Sequence, residues 1–226
     1  VRLVGTLQNI SRQKEMQEKL SDAIQHKELL LRELQHRVKN NLQTMRSLLQ
    51  LQIISVKDND QVKELLLTNM QRVDVLVEVN NLLQHTEQYA HINFVPFASQ
   101  LVGSLVNTAG FELKKSILAP PRKKLMVPVN IAVAMGIVTN ELVTNSIKYA
   151  FDKNSHDPEI QVSIAIQEQH MLYSVGNNGK EFIADFEQTA SMGLKLVKGL
   201  VRRQLDGQIT LEQRPGKVTF KMKVPL

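Results

Sequence analysis

From Arg12 to about Ile54 the chain holds neither proline nor glycine, and apolar residues recur at helical spacing: Met16, Leu20, Ala23, Leu30, Leu34, Val38, Leu42, Met45 and Leu49. This pattern predicts a single amphipathic helix. It is longer than an ordinary globular helix, which implies a coiled coil or a bundle. Lys57-Asp58-Asn59-Asp60 reads as a polar turn. A second helix is predicted from about Asp60 to Gln84, with Val62, Leu65, Leu66, Met70, Val73, Leu76, Val77 and Leu83 as its apolar positions. Two such helices joined by a short loop form a hairpin with one apolar face left open. Dimerisation into a four-helix bundle closes that face.

The second half has a different grain. Phe97 to Ala109 reads as a helix that stops at Gly110, and Phe111 to Leu118 as a strand. Pro120-Pro121 breaks the chain. Pro128 stands where a helix can begin, and Val129 to Ala150 is strongly helical. Ile160 to Ile166 and Met171 to Val175 alternate like two strands around a turn at Glu168-Gln169. Gly176 to Ala190 is loop-like, Gly193 to Gln204 helical, and Gln208 to Glu212 with Val218 to Val224 a hairpin. The expected fold class is α+β: the helical hairpin over 12–86, then a mixed α/β domain over 92–226.

Composition removes several functions. With no cysteine among 226 residues there is no disulfide framework, thiolate metal site or cysteine nucleophile. The six histidines are scattered without metal-helix spacing. The net charge of +6 is spread along the chain and interleaved with acids, as on solvated helix faces. Aromatics are only 4%, which leaves few platforms for stacking bases. No apolar run approaches the roughly 20 residues of a membrane span. The chain reads as cytoplasmic, or as the cytoplasmic piece of something longer.

Four stretches carry chemistry. The first is His36-Arg37-Val38-Lys39-Asn40-Asn41-Leu42-Gln43. His36 can face solvent, with Glu33 one turn back and Arg37, Lys39 and Asn40 as nearby donors. An imidazole nitrogen can attack phosphorus, and cations can hold the transferred phosphate. Taken alone, these eight residues describe an ordinary surface histidine on a helix. The wider segment from Leu31 to Gln52, and the second helix with Gln71-Arg72-Val73, resemble the dimerisation and phospho-acceptor helices of sensor histidine kinases. The subgroup is the one related to the HWE kinases. The resemblance implies that His36 is the autophosphorylation site. Many histidine kinases place an acid directly after the histidine as a base. Here Arg37 stands there, which leaves Glu33 and Glu141 as candidate proton acceptors. Asn40 is the residue to test for phosphatase activity.

The second stretch is Thr139 to Phe151. On a helix Glu141, Asn145 and Lys148 share one face. An amide oxygen suits Mg²⁺ and an ammonium suits phosphate, although a polar stripe on a solvent-facing helix has the same pattern. The run resembles the N box of the GHKL ATPases, the family shared by histidine kinases, gyrase, Hsp90 and MutL. That resemblance implies a Bergerat-type α/β sandwich that binds ATP. In it Asn145 is the Mg²⁺ ligand and Lys148 lies by the phosphates.

The third stretch, Val175-Gly176-Asn177-Asn178-Gly179-Lys180, follows a strand where the family has its Asp-x-Gly box. The Asp there accepts the adenine amino group. Asn177 takes its place, able to accept through its amide oxygen but without charge. Lys180 departs from the usual second glycine. Read plainly, Asn-Gly is a turn. The fourth stretch is Ser191-Met192-Gly193-Leu194 leading into a helix. Glycine there lets backbone approach phosphate at a helix N-terminus. It resembles the family's second glycine box, with Lys180 to Ala190 as a short ATP lid. The family's final Gly-Thr becomes Gly216-Lys217, where Lys217 either contacts phosphate or sits in a hairpin turn.

Residues 1–11 resemble the end of a PAS sensor domain, with Val1 to Asn9 as a strand running into the signalling helix. The resemblance as a whole implies a sensor histidine kinase. It would use ATP and Mg²⁺ to phosphorylate His36 within a homodimer, then pass the phosphate to an aspartate of a response regulator. A degenerate kinase, kept as a phosphotransfer or scaffold module without ATP turnover, is the alternative suggested by Asn177, Lys180 and Lys217. A non-enzymatic coiled-coil protein would leave the Asn140 to Phe151 run unexplained.

Overall fold

A computed structural model describes residues 11–56, 59–84, 91–119, 124–151, 155–181, 186–188 and 191–226. The expected strand at Val1 to Asn9, the Pro120-Pro121 break, Lys57-Asp58 of the polar turn and most of the lid segment lie outside these residues.

Helix α1 spans Ser11–Ser55 and α2 spans Asp60–Gln84. The predicted bounds hold because nothing in either stretch removes a backbone donor or relaxes φ. The two pack as a hairpin, with Leu31, Gln35, Lys39, Leu42, Leu49 and Ile53 of α1 half-buried. The Arg46 Nε donates to Asp74 Oδ1 at 2.6 Å and marks the antiparallel register. Beside the packed positions, Leu30, Leu34, Met45 and Leu48 stay exposed.

The second half consists of β1 (His91–Asn93), α3 (Phe94–Asn107), β2 (Lys114–Leu118), β3 (Met126–Pro128), α4 (Val129–Asn145), β4 (Glu159–Gln167), β5 (His170–Asn177), α5 (Met192–Gly199), β6 (Gln208–Arg214) and β7 (Lys217–Pro225). Five strands form one sheet in the order β2-β4-β5-β7-β6. β2 runs parallel to β4, and the other neighbours are antiparallel. Alternation sets the faces. Ile160, Val162 and Ile164, Met171, Tyr173 and Val175, and Val218, Phe220, Met222 and Val224 point into the core. Ser163, Ser174, Lys221 and Lys223 line the opposite face. Helices α3, α4 and α5 cover the apolar side.

Two features go beyond the sequence reading. β1 and β3 form a separate antiparallel pair, His91 opposite Pro128. α2 also contributes to the core of the second half. Val75 and Val79 are 1% and 2% exposed, and a Cβ added at Gly136 would meet Val75 Cγ1 at 2.8 Å. The hairpin and the sheet domain therefore share a wall. The expected junction between them, near 86–92, falls largely outside the described residues.

Candidate functional site

α4 starts after Pro128, which stands at its N-cap position, and is apolar on the sheet side. Its C-terminal end carries the polar run. The helix does not continue to Ala150 as a plain α-helix; Ser146–Ala150 forms a π-helical turn. Such one-residue widenings recur at functional sites because they re-aim side chains. Here the turn carries Lys148 and Tyr149 to the rim of a cavity of about 540 Å³, which Glu141 and Asn145 also line. The opposite wall is α2, through Gln61, Glu64, Leu65, Thr68 and Arg72.

Glu141 is nearly buried, and its charge is met from the hairpin: Arg72 Nε donates to Glu141 Oε1 at 2.8 Å. Arg72 is oriented in turn by Asn69, whose Oδ1 accepts from Nη1 at 3.0 Å. Lys148 Nζ donates to Glu64 Oε1 at 2.8 Å, so the ammonium expected at phosphate is held by an α2 carboxylate.

Asn177 ends β5 on the cavity wall, 7% exposed. Its Nδ2 donates to Ser146 Oγ at 3.0 Å, and its Oδ1 accepts from the Gly179 N–H at 3.1 Å. Ser146 Oγ donates onward to the Leu142 carbonyl at 2.9 Å. A carbonyl oxygen has two lone pairs, so Asn177 Oδ1 keeps one for a further donor. Gly179 lies beside the cavity rather than on it, packed so closely on Ala150 that an added Cβ would overlap the Ala150 carbonyl. Lys180 N–H donates to that carbonyl at 2.9 Å and fixes the loop to the end of the π-turn.

α5 opens with Ser191, whose side chain makes no cap. Gly193 and Leu194 of its first turn line the cavity. A Cβ at Gly193 would stand 2.5 Å from Glu141 Oε2 and 3.8 Å from Asn145 Nδ2, so a larger residue would collide with the acid. A side chain at that position would have to turn the end of Glu141 aside. The cavity thus offers an open helix start, an amide, cations and an apolar recess against Leu142, Val218 and Phe220. Helix starts of this kind favour anions.

Other expected residues lie elsewhere. Lys217 begins β7, donates to Gln161 Oε1 at 3.3 Å and is absent from the cavity lining. His36 is exposed on α1, and Asn40, also exposed, accepts Thr44 Oγ1 on its carbonyl at 2.9 Å. Glu33 pairs with Arg37, one turn on, at 2.8 Å. His36 precedes Arg46 by ten residues, about 15 Å at roughly 1.5 Å per residue. The α2 residues on the cavity, Gln61 to Arg72, lie beyond Asp74 from the level of His36. His36 and the cavity are therefore apart along the hairpin.

Glu64, Thr68 and Arg72 were not singled out as site residues by sequence reasoning. They are polar positions of a periodic helix, and neither that pattern nor the resemblance at Gln71-Arg72-Val73 says what the helix packs on. Within the segment expected as a lid, Phe186 packs against Phe220, with ring centroids 5.5 Å apart, and Lys198 lies 4.6 Å above its ring.

Residues 33–109 match the family described as histidine kinase, and residues 131–226 match the family described as histidine kinase-, DNA gyrase B- and HSP90-like ATPase. Curated relatives include the sensor histidine kinase PdtaS of Mycolicibacterium smegmatis, 26% identical over 207 residues, covering 90% of this chain and 41% of the relative. The protein of the same name from Mycobacterium tuberculosis is 26% identical over 212 residues. The chain thus spans about two fifths of the length of these relatives. Among solved structures, the histidine kinase domain of the Erythrobacter litoralis EL346 blue-light activated histidine kinase aligns with a TM-score of 0.62. The identity is 15%, over 83% of this chain and 94% of that one. That likeness is one of fold.

Proposed function

We propose that this histidine kinase catalytic core, a helical hairpin joined to a GHKL-type ATPase domain, binds ATP in the α4–α5 cavity and phosphorylates its own His36. The observation that carries the reading is convergence. Glu141, Asn145, Lys148, Asn177, Gly193 and Leu194 come from three segments of sequence and line one cavity. The adenine amino group would donate to the remaining lone pair of Asn177 Oδ1 in the apolar recess. The phosphates would lie toward Gly193 and Lys148.

Asn145 offers an amide oxygen on the same wall, near the Gly193 helix start. That donor set fits Mg²⁺, which keeps several waters and takes few protein ligands. When bound, the ion would offset charge on the transferring phosphoryl group. The remaining work belongs to the chain. An imidazole nitrogen of His36 attacks the γ-phosphorus in line, the P–N bond forms as the β–γ bridging P–O bond breaks, and ADP leaves. Such catalysis is mostly positioning and charge neutralisation. Because His36 stands apart from the cavity, the transfer needs the ATPase domain to move along the hairpin or to serve a second copy. The exposed Leu30, Leu34, Met45 and Leu48 of α1 support a homodimer closed as a four-helix bundle. The phosphate then passes to an aspartate of a response regulator. No described helix is long and apolar enough to cross a membrane.

The test is incubation with γ-labelled ATP and Mg²⁺, comparing the native chain with His36→Gln and Asn145→Ala. Acid-labile, base-stable label on the native chain alone is expected. No label, with no nucleotide binding either, would favour the phosphotransfer or scaffold reading, to which the uncharged Asn177 and the remote Lys217 already lean.

A further inference from the structure

A cavity that takes a polyphosphate should offer free cations, yet two of its cations are engaged by carboxylates. Arg72 holds Glu141, which is part of the cavity's own helix. The second pair is different in kind. Lys148 belongs to the ATPase domain and Glu64 to the hairpin, 84 residues earlier in the chain, and both line the cavity. Glu64 is also the one acid among the α2 residues on that wall. Its carboxylate at 2.8 Å from Lys148 Nζ occupies a position where a phosphate oxygen would bind, with the same charge and the same acceptor chemistry.

We propose that Glu64 is a built-in anion that competes with the phosphates of a nucleoside polyphosphate for the Lys148 ammonium, so that the hairpin sets the nucleotide affinity of the ATPase domain. This rests on the nucleotide reading of the cavity given above. Both side chains are partly exposed, Lys148 by 34% and Glu64 by 56%. The pair is therefore weak enough for a ligand to exchange: the incoming phosphate takes Lys148, Glu64 turns to solvent, and one of the two bridges between hairpin and cavity rim opens. The competition acts on the phosphate end alone, because Asn177 and the apolar recess lie on elements that Glu64 does not pair with.

Calorimetric titration of the full chain with a non-hydrolysable ATP analogue and, separately, with adenosine tests this. Glu64→Gln keeps the shape and removes the charge. It is expected to tighten the analogue by about two- to fivefold, the range of an exposed pair, and to leave adenosine unchanged. The gain should shrink at high salt. In a Lys148→Met background Glu64→Gln should bring no gain, since the two residues act on each other. Unchanged or weaker binding of the analogue by Glu64→Gln would overturn the proposal. So would an equal gain for adenosine, which would mean that the variant merely loosens the α2 wall. If the native chain binds neither probe, the kinase reading itself falls and this inference with it. If the native chain binds both and the variant matches it, only the role of Glu64 falls.

Discussion

The Arg72 guanidinium meets the Glu141 carboxylate at 2.8 Å, with only 20% and 5% of the two side chains exposed, and so ties the hairpin to the acid that stands against Gly193. Removing one partner of such a pair leaves an uncompensated buried charge, whereas removing both is far milder. Arg72→Met is expected to destabilise the fold by about 3 kcal/mol. Glu141→Leu in the same background should recover a large part of that loss. Denaturant unfolding of the two single variants and the double variant measures the coupling. A strictly additive double variant would show that the pair carries no interaction energy.

Asn177 is matched to Ser146 in a way that aspartate is not. While Ser146 Oγ gives its proton to the Leu142 carbonyl, it accepts from position 177. A carboxylate in place of the amide would set acceptor against acceptor or draw the hydroxyl away from the Leu142 carbonyl. Asn177→Asp should therefore cost about 1–2 kcal/mol, a fall in Tm of roughly 2–8 °C for a chain of this size. Adding Ser146→Ala should restore part of it. Differential scanning fluorimetry is sufficient, and a rise in Tm for Asn177→Asp would refute the assignment.

Gly179 touches the Ala150 carbonyl, which also accepts the Lys180 N–H. An alanine there must push the β5 loop away from the π-turn and break that bond. Gly179→Ala is expected to destabilise by about 1–3 kcal/mol and to lower nucleotide affinity, with Asn177 displaced from its position. Wild-type affinity in Gly179→Ala would show that the close approach has no part in shaping the cavity.

Glu187 sits against Arg202, accepting from Nη1 at 3.0 Å and Nη2 at 2.6 Å. The side-chain hydrogen bond from Arg202 holds the carboxyl below its ordinary value of 4.5, against a smaller opposing effect of desolvation. A depressed folded value means that the pairing stabilises the fold above pH 4.5 and is lost as pH falls through the lower, folded value. NMR titration of the Glu187 side chain should show a midpoint below 4.5, returning toward it in Arg202→Gln. An unchanged midpoint in that variant would assign the depression to some other group.

The long helices and the alternating strands could be read directly from the chain, because each depends on local periodicity and on where proline and glycine fall. Asp60–Gln84 and the turn between β4 and β5 came out where the pattern put them. The short β1–β3 pair did not. Three residues are too few for a period, and their partners lie 33 or more residues away. The polar run on α4 likewise announced Glu141, Asn145 and Lys148, but its π-turn has no residue signature. What escaped entirely was the reach of α2 into the cavity. Glu64 and Arg72 look like solvated helix charges in sequence, and only tertiary packing turns them inward.

The same packing bears on time rather than shape. Val75 and Val79 belong to α2 yet are almost wholly buried and join the core cluster of the second half of the molecule. An ATPase domain that left this seat to reach its own His36 would wet both valines, at roughly 3 kcal/mol or more for the pair. The departed state would then occupy about 1% of molecules or fewer. Labelling of His36 within one chain would proceed at the frequency of those rare departures. A stimulus that loosened the seat by only about 1.4 kcal/mol would multiply their number tenfold.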